Sequence, residues 1–137
     1  MTLQYSGITT FITFKDLVKC FADGKNVAGW DLVTIQQPSV ASSGVTLPIG
    51  EIVTYDGTKY VPSVFADIAA GTIFGVVTDT LTVHATETKT TRAIISGKVT
   101  LDYDIINNAM VARSLSVAHR QALIDFLATK NIRVQRG

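Results

Sequence analysis

Charge is scarce in this chain of 137 residues. Only 17% of the residues are Asp, Glu, Lys or Arg, whereas about 25% is typical of globular domains. The net charge of +1 creates no global field that would attract nucleic acid or an anionic membrane. Because 47% of the residues are hydrophobic, little charge is available to cover the surface, and we expect a partner to cover part of it.

Cysteine is also nearly absent. Cys20 is the single cysteine, so an intramolecular disulfide is excluded. A chain of this length can bury roughly two-thirds of its unfolded surface, so one domain is expected to fold without a covalent crosslink. At Cys20 the sequence favours a small buried hydrophobe over a reactive thiol.

Long hydrophobic runs and targeting signals are missing. Thr, Ser, Gln and Gly interrupt every candidate well before the ~18 consecutive apolar residues of a membrane helix. The opening segment MTLQYSGITTF has no Lys or Arg, which a signal peptide would need. We therefore expect no membrane partner and a protein that stays where it is made until it joins an assembly.

Motifs for catalysis, metal binding and cofactor binding are not found. His84 and His119 have no His or Cys at metal-ligand spacing, and there is no phosphate loop or nucleophile elbow. Asp102 and Asp104 would share one face of a strand and could bind a cation or act as acid and base. The pattern favours solvated, turn-forming acids, so we expect no enzyme activity, no metal and no cofactor.

Basic residues gather in the C-terminal part of the chain, but no aromatic side chains are interleaved with them. Nucleic-acid binding would need such aromatics as stacking platforms, so the sequence predicts no direct nucleic-acid partner. The basic residues are Arg113, Arg120, Lys130, Arg133 and Arg136.

Two helices are predicted from apolar spacing. In ITFKDLVKCF, four apolar side chains share one helical face and indicate a short N-terminal helix; they are Phe14, Leu17, Val18 and Phe21. Ser116 is predicted to cap the C-terminal helix VAHRQALIDFLATK. Asn131 stands where a left-handed residue ends that helix, and IRVQ then alternates like a short strand.

The remaining segments read as strands. Asp56-Gly57, within EIVTYDGTKYVP, predicts a tight hairpin with a type I′ turn. Gly75 lies inside an apolar run, which indicates a bulge or a close backbone contact. RAIISGKVTLDYDII predicts a strand, a bend at Ser96-Gly97 and a second extended run. The fold class is therefore α+β, with a small antiparallel sheet or barrel-like domain.

These segments, in their order, give a resemblance to a known family. From YDGTKYVP through GTIFGVVTDTLTV and TTRAIISGKVTLDY to a capped helix and NIRVQ, the chain resembles the head decoration proteins of lambda-like tailed bacteriophages. The matching positions are Gly75–Val77, Ser96–Val99 and Ile132–Val134, and the resemblance covers about the last 85 residues. Asn131 stands where the family has glycine, and the N-terminal part is longer and more hydrophobic than the family's polar arm.

The resemblance implies a structural protein of the virion. Such a protein binds the outer surface of the expanded phage head, usually as a homotrimer, and stabilises the head against the pressure of packaged DNA. Its partners would be the major capsid protein and further copies of itself. It would be made in the host cytoplasm, would act on the outer capsid surface and would need no cofactor.

The family's N-terminal arm reaches onto the capsid, which divides the chain into two parts. Residues 1–30 would form a capsid-binding arm and short helix, and residues 31–137 the β-rich body. The arm's candidate contacts are Thr2, Leu3, Gln4, Tyr5 and Ile8. The same segment could instead be a strand of the protein's own sheet, and the sequence leaves both interpretations open.

Two other functions compete with capsid decoration. Another virion subunit, such as a head fibre base, a tail-tube protein or a connector, would share the β-rich and weakly charged character. A small hydrolase using Asp102 and Asp104, or His119, is the alternative that the sequence favours least.

Overall fold

The computed structural model describes Leu17 and residues 31–38, 45–84, 87–97 and 99–135. The strands within these ranges are β1 (Asp31–Pro38), β2 (Val45–Leu47), β3 (Ile52–Tyr55), β4 (Tyr60–Pro62), β5 (Ile73–Val77), β6 (Leu81–Val83), β7 (Thr88–Ser96), β8 (Val99–Asp102) and β9 (Ile132–Gln135). The helices are α1 (Ala66–Ala70), α2 (Tyr103–Val111) and α3 (Val117–Ala128). The predicted α+β class is confirmed, and none of these helices is long and apolar enough to cross a membrane.

The main sheet has five antiparallel strands in the order β1-β7-β5-β3-β4. The central strands β3 and β5 are largely buried on both faces, because β2 and β6 pair as a separate ribbon over one face while helices cover the other. Neighbouring residues such as Ile52 and Val53 therefore enter different hydrophobic clusters. The sheet is open and does not close into a barrel.

The larger hydrophobic cluster lies between the sheet and the C-terminal helices. It contains Leu17, which is helical, as the sequence predicts for that position, and fully buried. The other members of the predicted N-terminal stripe lie outside the described residues. The cluster is completed by Ile49, Ile52, Ile73, Val76, Ile94, Val99, Leu101, Ile106, Met110, Leu123, Ile124, Leu127 and Ile132.

The predicted hairpin between β3 and β4 is present, but its predicted turn type is wrong. Tyr55 pairs with Tyr60, so four residues form the loop and not the two of a type I′ turn. The Asp56 carboxylate accepts hydrogen bonds from the backbone N–H groups of Thr58 and Lys59, both at 2.9 Å. The carboxylate takes the place of a backbone carbonyl as acceptor in the turn, and it thereby stabilises the four-residue loop over a two-residue loop.

The predicted second extended run is also wrong beyond Asp102. Residues Tyr103–Val111 form helix α2, and the Asp102 carboxylate caps it by accepting from the N–H of Ile105 at 3.1 Å. Ile106, Ala109 and Met110 are buried at helical spacing. Burial of this face in the large cluster outweighs the β-preference of the isoleucines.

The C-terminal helix and strand follow the prediction closely. Ser116 caps α3 by accepting from the N–H of His119 at 3.2 Å. Asn131 has φ +64°, in the left-handed region, and β9 then pairs with β8. That pair is parallel, so α2 and α3 together form the crossover that parallel strands require.

Candidate interaction surface

Gly75 and Gly97 shape the middle of the fold as the sequence predicts. The strand register shifts opposite Gly75, and a Cβ at this position would clash with the backbone carbonyl of Ile94. Gly97 has φ +111°, which an L side chain rarely adopts, and it turns the chain from β7 into β8 immediately after Ser96.

The Ser96-Gly97 bend meets the end of the C-terminal helix. The Gly97 N–H donates to the carbonyl of Lys130 at 3.0 Å, next to Asn131. Two residues further along each segment, Val99 pairs with Ile132 in the β8–β9 ladder. Two of the sequence segments that carry the resemblance are therefore in direct contact in the fold.

Asp102 and Asp104 do not form the predicted carboxylate pair on one face of a strand. Asp102 ends β8 and caps α2, whereas Asp104 lies in the first turn of the helix. Carboxylates at the start of a helix are favourable beside its positive dipole end, which is a structural role. Across the described ranges, no three His, Cys, Asp or Glu side chains gather as metal ligands.

The histidines also make structural contacts. The ring of His119 stacks on Phe65 with centroids 4.7 Å apart and planes 12° from parallel. His84 is exposed, and its backbone N–H donates to the Glu87 carboxylate at 2.8 Å. This hydrogen bond holds the pKa of Glu87 below its ordinary value. Cys20 lies outside the described residues.

Two of the basic residues in the C-terminal part, Arg113 and Arg120, make hydrogen bonds within the protein. Arg120 donates to the side-chain oxygen of Asn107 at 2.9 Å and to the carbonyl of Leu115 at 2.6 Å. Arg113 bridges the α2–α3 turn to the sheet. Both guanidinium groups therefore have structural roles in the fold.

The Arg113 bridge rests on a buried ion pair that short-range sequence patterns did not reveal. Its Nε lies 2.9 Å from a carboxylate oxygen of Glu51, and its Nη1 donates to the carbonyl of Ser63 at 2.6 Å. Glu51 is only 3% exposed. Burial raises the pKa of the Glu51 carboxyl above its ordinary value, although the guanidinium of Arg113 acts in the opposite direction.

A side chain on one edge strand of the main sheet contacts the backbone of the other edge strand. Gln37 on β1 is fully buried, and its carboxamide contacts Tyr60 on β4. Its Nε2 donates to the Tyr60 carbonyl at 2.9 Å, and its Oε1 accepts from the Tyr60 N–H at 2.8 Å. The sheet is therefore curled, and an amide side chain occupies the outer side of β4 where another strand could have paired.

The outer side of β1 differs. Thr34 and Gln36 are exposed, and in the described part of the chain β7 is the strand that pairs with β1. Among the described strands, the outer side of β1 is therefore the candidate interaction surface, because exposed edges of sheets bind extended segments of other chains. The arm residues Thr2, Leu3, Gln4, Tyr5 and Ile8 lie outside the described residues.

Comparisons of the chain with protein-family models, with curated proteins and with solved structures find no match. These comparisons therefore assign neither a family nor a partner.

Proposed function

We propose that the protein is a capsid decoration protein, which binds the outer surface of an expanded phage head and stabilises it against internal DNA pressure. It acts as a trimer on the shell, with the major capsid protein as its partner. This role requires contact surfaces and mechanical stability, and it requires no chemistry.

The observation that carries the proposal is the contact between two motif segments. Ser96-Gly97 and Asn131 belong to separate short motifs of the resemblance, and the Gly97 N–H donates to the carbonyl of Lys130 beside Asn131. The glycine supplies a positive φ and the asparagine a left-handed residue, so each residue type suits the backbone it occupies. The contact supports the proposal, because it gives two motifs of the resemblance one shared place in the fold.

The distribution of polar groups supports the same proposal. Glu51 and Arg113 pair with each other, Asp102 caps a helix, and His119 stacks on Phe65. These contacts give the side chains structural roles, which supports a function that does not depend on acid–base chemistry. Only 17% of the residues are charged, which suits a protein that shares an interface with other subunits.

Co-sedimentation with capsids of the phage that carries this gene tests the proposal. The purified protein should bind expanded capsids stripped of accessory proteins and should not bind unexpanded precursors. Reconstruction of the decorated particles should show trimers at three-fold or quasi-three-fold positions. Isolated monomers at six-fold centres would contradict the trimer, and binding to tails in place of heads would favour a tail or connector subunit.

A further inference from the structure

Asp56 is followed directly by Gly57, and within the described residues this is the one Asp-Gly pair. Aspartate before glycine is prone to a spontaneous rearrangement of the main chain, because glycine has no side chain to hinder attack by its own backbone nitrogen. The pair lies in the exposed loop between β3 and β4, and a β-carbon at Gly57 would meet nothing within 4 Å. Neighbouring side chains therefore do not shield this part of the loop.

The rearrangement proceeds in two steps. In the first, the backbone nitrogen of Gly57 forms a bond to the side-chain carboxyl carbon of Asp56, and the carboxyl OH leaves with the proton of the nitrogen as water. The product is a cyclic imide. In the second step, water adds to one of the two imide carbonyls and breaks its C–N bond, which gives either aspartate again or isoaspartate. The reacting form is the protonated acid, because a carboxylate has no OH to release.

Four hydrogen bonds hold the Asp56 carboxylate in its ionised form. Its Oδ1 accepts from the backbone N–H groups of Thr58 and Lys59, both at 2.9 Å, and from the Thr58 hydroxyl at 3.1 Å. Its Oδ2 accepts from the ammonium group of Lys59 at 3.0 Å. These hydrogen bonds, chiefly the two from the backbone, hold the pKa of the Asp56 carboxyl well below its ordinary value. The protonated, reactive form is therefore scarce.

Hydrogen bonds also restrain the backbone on both sides of the Asp56–Gly57 peptide bond. The Asp56 N–H donates to the carbonyl of Lys59 at 3.0 Å, and the Tyr55 hydroxyl donates to the carbonyl of Gly57 at 3.0 Å. Formation of the imide removes one of the two carboxylate oxygens, and each of them accepts at least one hydrogen bond within the loop. The reaction therefore opposes the contacts that shape the loop.

We propose that Asp56 is a latent site of isomerisation to isoaspartate, and that the hydrogen bonds of its own loop keep it from reacting while the protein is folded. The inference does not depend on the proposed function, and the reaction needs no enzyme, oxidant or cofactor. Isoaspartate inserts an extra carbon into the main chain between Tyr55 and Tyr60. A chain that has reacted should therefore lose the pairing of these two residues at the end of the β3–β4 hairpin.

The test compares the folded chain with a blocked synthetic peptide, TYDGTKY, which has the sequence of the loop without the fold. After incubation at mildly acidic pH, digestion and chromatography separate the aspartate and isoaspartate forms of the segment that carries Asp56. The folded chain should accumulate isoaspartate at least about tenfold more slowly than the peptide, because less of its carboxyl is protonated and its loop is restrained. The parent chain in urea should react at about the rate of the peptide. Equal rates in the folded chain and the peptide would overturn the inference.

A variant without the side-chain donors shows whether the hydrogen bonds provide the protection. Thr58→Ala combined with Lys59→Ala removes the hydroxyl and the ammonium group but keeps both backbone N–H groups, so the hairpin should form, which circular dichroism checks. Isomerisation at Asp56 should then be several-fold faster than in the parent chain. Lys89→Ala is the matched control, because it changes the net charge equally but removes a lysine that pairs with Glu87. A double variant that reacts no faster than this control would overturn the inference.

Discussion

The carboxamide of Gln37 makes two reciprocal hydrogen bonds with the backbone of Tyr60, although their strands stand at opposite ends of the sheet order. One side chain thereby satisfies an N–H and a C=O that would otherwise face outward from β4. It also holds the curl of the sheet, because strands β1 and β4 have no ladder between them.

Gln37→Leu should lower the free energy of unfolding by about 1–3 kcal/mol, since it leaves the Tyr60 N–H and C=O without their partner. Urea unfolding at neutral pH measures the loss. Gln36→Leu is the matched control on the same strand, and because Gln36 is exposed it should change stability little. Equal losses from the two changes would contradict a specific role for the Gln37 amide.

Gly97→Val should destabilise the protein more than Gly57→Val. The two glycines have nearly the same backbone strain, with φ +111° and +108°. A β-carbon in such a conformation costs on the order of 1–2 kcal/mol at either position. Gly57 lies in an exposed loop with open space around it, whereas Gly97 also holds the contact with Lys130. If the two substitutions lower the melting temperature equally, the backbone strain at positive φ explains the whole loss of stability.

Asp102→Ala should cost about 0.5–2 kcal/mol, because it removes the cap of α2. Asp104→Ala should change stability by less than about 0.5 kcal/mol, as expected for a substitution that removes no cap. Asp102→Asn and Asp104→Asn should both leave capsid binding nearly intact. A large loss of binding with preserved folding, from either Asn change, would show that the carboxylates have a functional role.

Stability should respond to pH with opposite signs at Glu51 and Glu87. The folded pKa of Glu51 is raised above 4.5, so the unfolded chain loses this proton first as pH rises. The contribution of Glu51 to stability is therefore fully present below pH 4.5 and is lost as pH rises through the folded pKa. The pKa of Glu87 is lowered, so its contribution is present above pH 4.5 and is lost as pH falls.

Urea unfolding of the parent chain, Glu51→Gln and Glu87→Gln across this pH range measures both effects. The stability of the parent chain relative to Glu51→Gln should decrease with rising pH, and relative to Glu87→Gln it should increase. A rise in both differences would mean that the Arg113 charge outweighs the burial of Glu51.

Deletion of residues 2–10 should abolish capsid binding while the protein remains folded. The deleted segment TLQYSGITT carries no charge and no proline, so it is suited to strand addition on capsid subunits. Circular dichroism and co-sedimentation test the two parts of this prediction. Unfolding would place the segment in the protein's own core, and undiminished binding would mean that the shell is held elsewhere.

The parts of the fold that could be predicted from sequence depend on neighbours in the chain. The cap at Ser116 and the left-handed Asn131 are set by residues within one helical turn, so the C-terminal helix was predicted correctly. Helix α2 was missed because the β-branched pair Ile105-Ile106 suggested a strand. The cap at Asp102 and the apolar spacing that follows it were the signal that could have revealed the helix.

Two contacts that stabilise the fold join residues far apart in sequence, and no local pattern could predict them. Gln37 bonds to Tyr60, 23 residues away, and Glu51 pairs with Arg113, 62 residues away. Before the fold is known, Gln36 and Gln37 are equivalent neighbours. Only the strand register decides that one is buried against β4 while the other lies on the exposed side.

The parallel pairing of β8 with β9 has a consequence for how the protein folds. A hairpin can grow outward from its turn, but Val99 and Ile132 can pair only after both intervening helices have packed. We therefore expect the segment from β8 to β9 to form in one late, cooperative step. A substitution that destabilises the packing of the α2–α3 connection should therefore speed the separation of β8 from β9, although it contacts neither strand.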